Sequence, residues 1–401
     1  MMKFFANRDI NRLAVHLALV SLAWGLAGTF FTVFLLRAGL PPLQIFLLTA
    51  AILALRFALR PLVVFVASTI GLRRTLIFGT ILSALQFPVI ALVHGAGLAM
   101  ILFAIISSLS GVFYWTCYHV FFASLGDVEH RGKQIGARQA ISAVASVIGP
   151  AAGGILLTNF GAWTAFGTAF AIQIAAIYPL LHVEEPKITQ PSPRGAFAAA
   201  KVGILLFFTD GWIQSGSTTA WSIIMFKAVA ERFDNFGGVL AVAALGGALG
   251  GMILGRYIDM GHARRTVLFN AVILALGLIL KSFYAGNPVA VIGITIGTTL
   301  FSGLYFPYWM TAVYNASKIA PCTFRFQFAS EGGWDAGGIF ASLVAAVVCT
   351  ANLPIEAVIV LALPVVALQA LLVDASYRQH NQVDDIRSIR PSQPLHQDGP
   401  L

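Results

Sequence analysis

Charge is what this chain of 401 residues has least of. Asp, Glu, Lys and Arg make up 10% of it, against about 25% in an ordinary soluble domain. So few charges cannot clothe a water-facing surface, which excludes a soluble globular fold. Cysteine is almost as scarce. Cys117, Cys322 and Cys349 stand far apart with no metal-ligand spacing, which argues against a zinc site or disulfide framework and leaves three small packing residues. Catalytic signatures are missing as well. No H-E-x-x-H, no G-x-S-x-G and no G-x-x-x-x-G-K-[ST] occurs. A zinc protease, a nucleophile-elbow hydrolase and an ATP-driven machine are therefore not expected, nor is any metal or cofactor.

What is abundant is apolar length. Hydrophobic residues form 58% of the chain, and the mean hydropathy is +0.84. Runs of roughly 20 residues, enough to span a bilayer, recur twelve times, at 12–36, 43–70, 75–93, 97–122, 136–158, 162–181, 201–226, 236–255, 266–285, 288–314, 328–350 and 354–374. Turn residues separate them, such as Pro41-Pro42, Gly286-Asn287-Pro288 and Leu353-Pro354. The net charge of +9 is sorted by side. With the N-terminus in the cytoplasm, only Arg37, Lys227, Arg232 and Lys281 among the basic residues of the loops and helix ends fall outside. This positive-inside bias puts both termini in the cytoplasm, and the charge reports topology rather than a nucleic-acid partner. The first dozen residues are too polar for a cleavable signal, so the first run is expected to be a retained helix.

One stretch occurs twice. Arg73-Arg74-Thr75-Leu76-Ile77-Phe78 returns 191 residues later as Arg264-Arg265-Thr266-Val267-Leu268-Phe269. Leu36-Arg37-Ala38 pairs with Phe226-Lys227-Ala228, Ser110-Gly111 with Ser302-Gly303, and Tyr114-Trp115 with Tyr308-Trp309 at nearly the same separation. A duplicated membrane chain places its site at the interface of the halves. The expected organisation is an all-α integral membrane protein with a six-helix half over 1–183, a cytoplasmic linker over 184–200, a second six-helix half over 201–375 and a disordered tail over 376–401.

Twelve spans in two halves, with a basic loop repeated after helices 2 and 8, resemble the major facilitator superfamily. Its loop motif, G-x-x-x-D-R-x-G-R-R, is matched in the second half by Gly255 and Asp259, followed by Gly261, Arg264 and Arg265. The first half keeps Gly71, Arg73 and Arg74 but has Ser68 where the Asp would stand. The resemblance implies a latch near the cytoplasmic face, carried here by Asp259. The family's antiporters also carry a helix-5 motif. Gly136, Ala145, Gly149-Pro150 and Gly153-Gly154 follow it with one small-for-small change, small residues that let helix backbones approach while Pro bends the helix. The usual helix-4 Arg of proton-driven drug exporters is replaced by Ser107, four residues before Gly111.

Ionisable groups within spans cost several kcal/mol and mark function by default. Arg56 and Arg60 in helix 2 share a face, and Glu331 and Asp335 lie in helix 11. Helices 2 and 11 face one another in this family, so the resemblance implies that Arg60 or Arg56 pairs with Asp335 and gates the cytoplasmic side. The competing role is a permanent ion pair. Helix 7 holds Asp210, Gln214, Ser215, Ser217, Thr218 and Thr219, a polar load that lipid would not tolerate. Since the family's helix 7 lines the central cavity, Asp210 is the first choice for binding substrate or a proton. Arg56 is available to an anionic group, with Trp24, Tyr114, Tyr308 and Gln214 as further lining. His119 and His16 are expected to make structural hydrogen bonds. The resemblance thus implies a monomeric secondary transporter of the bacterial inner membrane, exporting a small organic or amphiphilic compound in exchange for protons. Symport of an organic anion, lipid translocation and a non-transporting receptor are the alternatives.

Overall fold

The computed structural model describes the backbone of residues 8–125, 131–185, 195, 197–259, 263–302, 309–310, 312–313, 316–317 and 320–389. Side chains are described over the same residues except 122–125, 131–142, 251–259, 263–267, 302, 377 and 379–389. Tyr308 lies outside the described residues, as do the side chains of Gly136, Gly255, Asp259 and Arg264.

The helices follow the predicted spans, and breaks within them fall where the sequence forbids a continuous ladder. The first span is α1 (Arg8–Leu26) and α2 (Phe31–Arg37), joined by one 3-10 turn. The second is α3 (Pro42–Leu59) and α4 (Pro61–Ile70). Pro61 lacks an N–H and starts a new helix there, which leaves Arg60 at the junction. Then come α5 (Leu72–Ala91), α6 (Leu98–Leu125), α7 (Arg131–Ala175) and α8 (Ile177–Leu180). α7 contains two predicted spans, divided at Gly161, whose φ of 82° suits glycine. The second half runs through α9 (Lys201–Trp212), α10 (Thr219–Ala228), α11 (Phe233–Asp259), α12 (Ala263–Phe283), α13 (Pro288–Ser302), α14 (Thr323–Thr350), α15 (Glu356–Val360) and α16 (Leu363–Ile389). Among the described residues, eight helices are long and apolar enough to cross a membrane. α16 runs on to Ile389, and Arg378 bonds the Asp374 side chain one turn back on it.

Glycine sets how closely the halves meet. α7 packs on α1 and on α11, and α3 packs on α14. At Gly149 a Cβ would reach the backbone of Gly25 and Leu26, at Gly153 the carbonyl of Leu26, and at Gly154 the carbonyl of Phe233. Gly237 of α11 answers from the other half against the Pro150 carbonyl. The helix-5 motif is thus a three-way crossing of α1, α7 and α11. Beside it, Phe30, Phe34, Phe226, Phe233 and Phe236 form a ring-on-ring seal between the halves, with centroids 5.3–6.4 Å apart. At the basic-loop end, Cys322 and Phe324 of α14 and its cap are buried in the cluster that holds Leu13, Val63, Leu72 and Tyr118 of the first half.

Candidate functional site

The site grows from a mismatch between charge and solvent. Arg56, Arg60, Glu331 and Asp335 sit in apolar helices, and all four are buried, Arg60 at 2% exposure and Asp335 at 0%. Such groups persist only when paired and hydrogen-bonded. Both arginines solve this with one acid. Arg56 and Arg60 each bond the Asp335 carboxylate, Arg56 on Oδ1 and Arg60 on Oδ2. The contact joins α3 of one half to α14 of the other. Their four-residue spacing puts both guanidiniums on one helix face, and the break at Pro61 sets Arg60 at the end of its helix.

The shell around this triad is polar in a directed way. Arg60 Nη1 donates to Thr116 Oγ1 of α6 at 3.2 Å and stands 3.9 Å from Glu331 Oε2. Glu331 Oε1 lies 3.4 Å from His119 Nε2, also across the two halves. The Arg56 guanidinium lies 4.6 Å from the centroid of the Trp334 ring, a cation–π contact. Trp334 donates its indole N–H to Asp210 Oδ2 at 2.8 Å. One connected cluster therefore links α3, α6, α9 and α14. Among the described residues it holds three carboxylates, two guanidiniums and an imidazole. With every carboxylate ionised and the imidazole neutral, acids outnumber guanidiniums by one, and a single added proton neutralises the cluster.

The other sequence-selected residues fall into three groups. Asp210 belongs to the cluster through Trp334, which sequence reasoning missed. Gly211 beside it has no room for a side chain against the Trp334 backbone. Gln214 sits in a π-helical segment, Ile213–Thr218, that interrupts the seventh span; such segments are frequent at functional sites. Its carbonyl accepts from Thr218 Oγ1 at 3.1 Å. Tyr114 and Trp24 lie inside the first half. Tyr114 is bonded to His16 Nε2 at 3.1 Å and stacked on Tyr118, while Trp24 packs on Phe31 and Phe87. His16 makes the structural bonds expected of it, to Tyr114 and to the Ala176 carbonyl at 2.8 Å. His119 instead faces Glu331.

The first copy of the basic loop has a partner that the sequence did not reveal. Ser68 hydrogen-bonds within its own helix, to the Phe65 carbonyl. Glu185 takes the absent acid's place, accepting from the Arg73 backbone N–H at 2.9 Å while Arg73 Nη1 reaches the Val183 carbonyl at 3.0 Å. Gly71 turns beneath it with φ 92°, where a Cβ would meet the Glu185 carboxylate. This basic loop is tied to the start of the linker, whereas the arginine–aspartate cluster ties the two halves together.

Two helical halves in a membrane, joined through buried ion pairs and by glycine crossings, define a secondary transporter. The sequence matches the Major Facilitator Superfamily over residues 13–324. The chain belongs to this family, and it is a multi-pass membrane transporter rather than an enzyme. Solved structures of similar fold include the human organic anion transporter MFSD10 (TETRAN), at 15% identity and TM-score 0.61 over 91% of this chain and 99% of that one. A nucleoside transporter, NupG, aligns in two structures, at 11% and 13% identity with TM-scores of 0.64 and 0.62, over 92% of this chain and 99% and 98% of theirs. These likenesses concern the fold. A search of curated protein sequences found no match.

Proposed function

We propose that the protein exports a small organic or amphiphilic compound in exchange for protons, and that the Arg56/Arg60–Asp335 cluster is the gate. One observation carries this reading. Two guanidiniums from one half share a carboxylate from the other, so rocking of the halves must break the contact or exchange its partners. A bare separation would strand buried charges at a cost of several kcal/mol. A proton delivered to Asp335, or passed between Glu331 and Asp210, removes the acid's share of that penalty and loosens its hold on the two guanidiniums as the halves part. The helix-5 crossing of Gly149, Pro150, Gly153 and Gly154 supports the antiport direction by its likeness to the family's antiporters.

A second reading has its own support. The same two guanidiniums would accept an organic anion in place of Asp335, which suits proton-coupled import. Vesicles containing the protein, with an imposed pH gradient and a panel of labelled organic compounds, separate the two. Export predicts accumulation against protons moving the opposite way. Uphill accumulation with protons moving the same way would replace it with symport.

A further inference from the structure

The two halves differ in the space between their first, third and fourth helices. In the first half this space is filled. Trp24, Phe31, Phe87 and Phe103 interlock there, with centroids 5.3–6.2 Å apart. Gly79 brings α5 directly onto the backbone of Phe113 and Tyr114. At the repeat-related positions, 191 residues on, stand Ser215, Ser222, Leu278 and Ile294 and, for Gly79, Asn270. The bulky rings have become small or aliphatic, and the glycine that closes the contact has become a polar side chain.

The result is a cavity of about 280 Å³ between the π-helical segment, α12 and α13. It lies wholly within the second half, away from the arginine–aspartate cluster. Asn270 and Ser217, exposed by only 2% and 4%, line it with their Nδ2 and Oγ atoms lacking any partner. A buried polar atom without a partner costs about 1–3 kcal/mol, and here the unmet atoms face a cavity. Thr298 and Thr299 also line it, their hydroxyls already donating to their own helix at 2.7 Å. Lys281 closes the far end, half-buried over the Trp221 ring at 5.1 Å. Eleven residues of helix separate Lys281 from Asn270, a distance of ~16 Å at 1.5 Å per residue. Between them the α12 side of the wall is apolar, with Ile273, Leu274, Gly277 and Leu278, while Gln214 and Thr218 face it from the π-helical segment.

We infer that this cavity binds an elongated amphiphilic organic anion. Its anionic end lies at Lys281, its apolar body runs along α12, and a hydroxyl or carbonyl at its other end accepts the free N–H of Asn270. A single polar group could not use both ends of so long a cavity. A purely apolar guest would leave both donors unmet.

The test uses 10-hydroxydecanoate, decanoate and decanol as probes on the purified full chain in lipid nanodiscs, with affinity read from Trp fluorescence and from thermal stabilisation, which saturating ligand raises by mass action. The hydroxy acid is expected to bind about 5-fold tighter than decanoate, and decanoate tighter than decanol. Asn270→Leu should remove the first difference and keep the second; Lys281→Met should do the reverse. If a phospholipid co-purifies and the hydroxy acid displaces it, the natural occupant comes from the bilayer; if none does, it comes from solution. Either result supports the site. Absence of saturable binding in the wild type, or binding order unchanged in both cavity variants, would overturn it. Should Asn270→Leu fail to fold, Asn270→Ser, which shortens the donor, is expected to give the same loss for the hydroxy acid alone.

Discussion

Asp335→Asn tests the gate with a change of one atom type at a site of known geometry. The carboxylate takes bonds from Arg56 and Arg60 in the other half. Losing one partner of a buried ion pair typically costs 3–5 kcal/mol, because the remaining charge is left uncompensated. Glu331, 3.9 Å from Arg60 Nη1, is placed to recover part of this. A net loss of about 2 kcal/mol from the joined state follows, a shift of roughly 10–100-fold toward separation of the halves at the basic-loop end. Native thiols report it. Cys322 is buried at 7% exposure in the cluster shared by both halves, whereas Cys117, fully buried, sits in a helix of the first half. In maleimide labelling read by mass spectrometry, Asp335→Asn should speed modification of Cys322 about 10–100-fold and leave Cys117 protected. Unchanged labelling of Cys322 in a folded variant would refute the reasoning; the cluster would then be a static ion pair.

Gly153→Leu should lower the melting temperature by several degrees or block folding, since its Cβ would fall on the Leu26 carbonyl and overpacking costs about 1–3 kcal/mol; thermal unfolding in detergent measures it. Glu185→Gln should change stability by only ~0–1 kcal/mol, its ion pair with Arg73 being exposed to water. Gly71→Ala beside it should cost more, because its backbone has φ 92°. Trp334→Phe keeps a ring for Arg56 but removes the donor to Asp210. A loss of about 1–2 kcal/mol in unfolding free energy is expected, with Asp210→Asn in the same background adding less than it does alone.

Much of this was legible in the sequence for reasons of cost. Twelve apolar runs read directly as spans because a bilayer core admits little but helix. Arg56, Arg60 and Asp335 stood out because charge in such helices demands a partner, and helical spacing put the arginines on one face. What stayed hidden depends on rotation and contact between helices. Trp334 reads as one more aromatic until α14 is seen to turn its indole toward Asp210 while its ring covers Arg56. His119 reads as a local hydrogen-bonding residue until Glu331 arrives from the other half. Glu185 replaces the acid missing at Ser68 from 117 positions away, a distance no motif spans. Gly161 looks like one more small residue in an apolar run, yet its backbone angle divides α7.

The central claim is that the halves alternate about the arginine–aspartate cluster under control of a proton. Spin-label distances test it most directly, with one pair at Ser68 and Pro321 on the basic-loop end and another at Arg37 and Glu231 on the opposite end, in a cysteine-free background. The account predicts that lowering the pH from 8 to 5 lengthens the first distance and leaves the second short, and that Asp335→Asn shows the long first distance already at pH 8. First distances that stay equal at both pH values, in the wild type and the variant alike, would contradict the account.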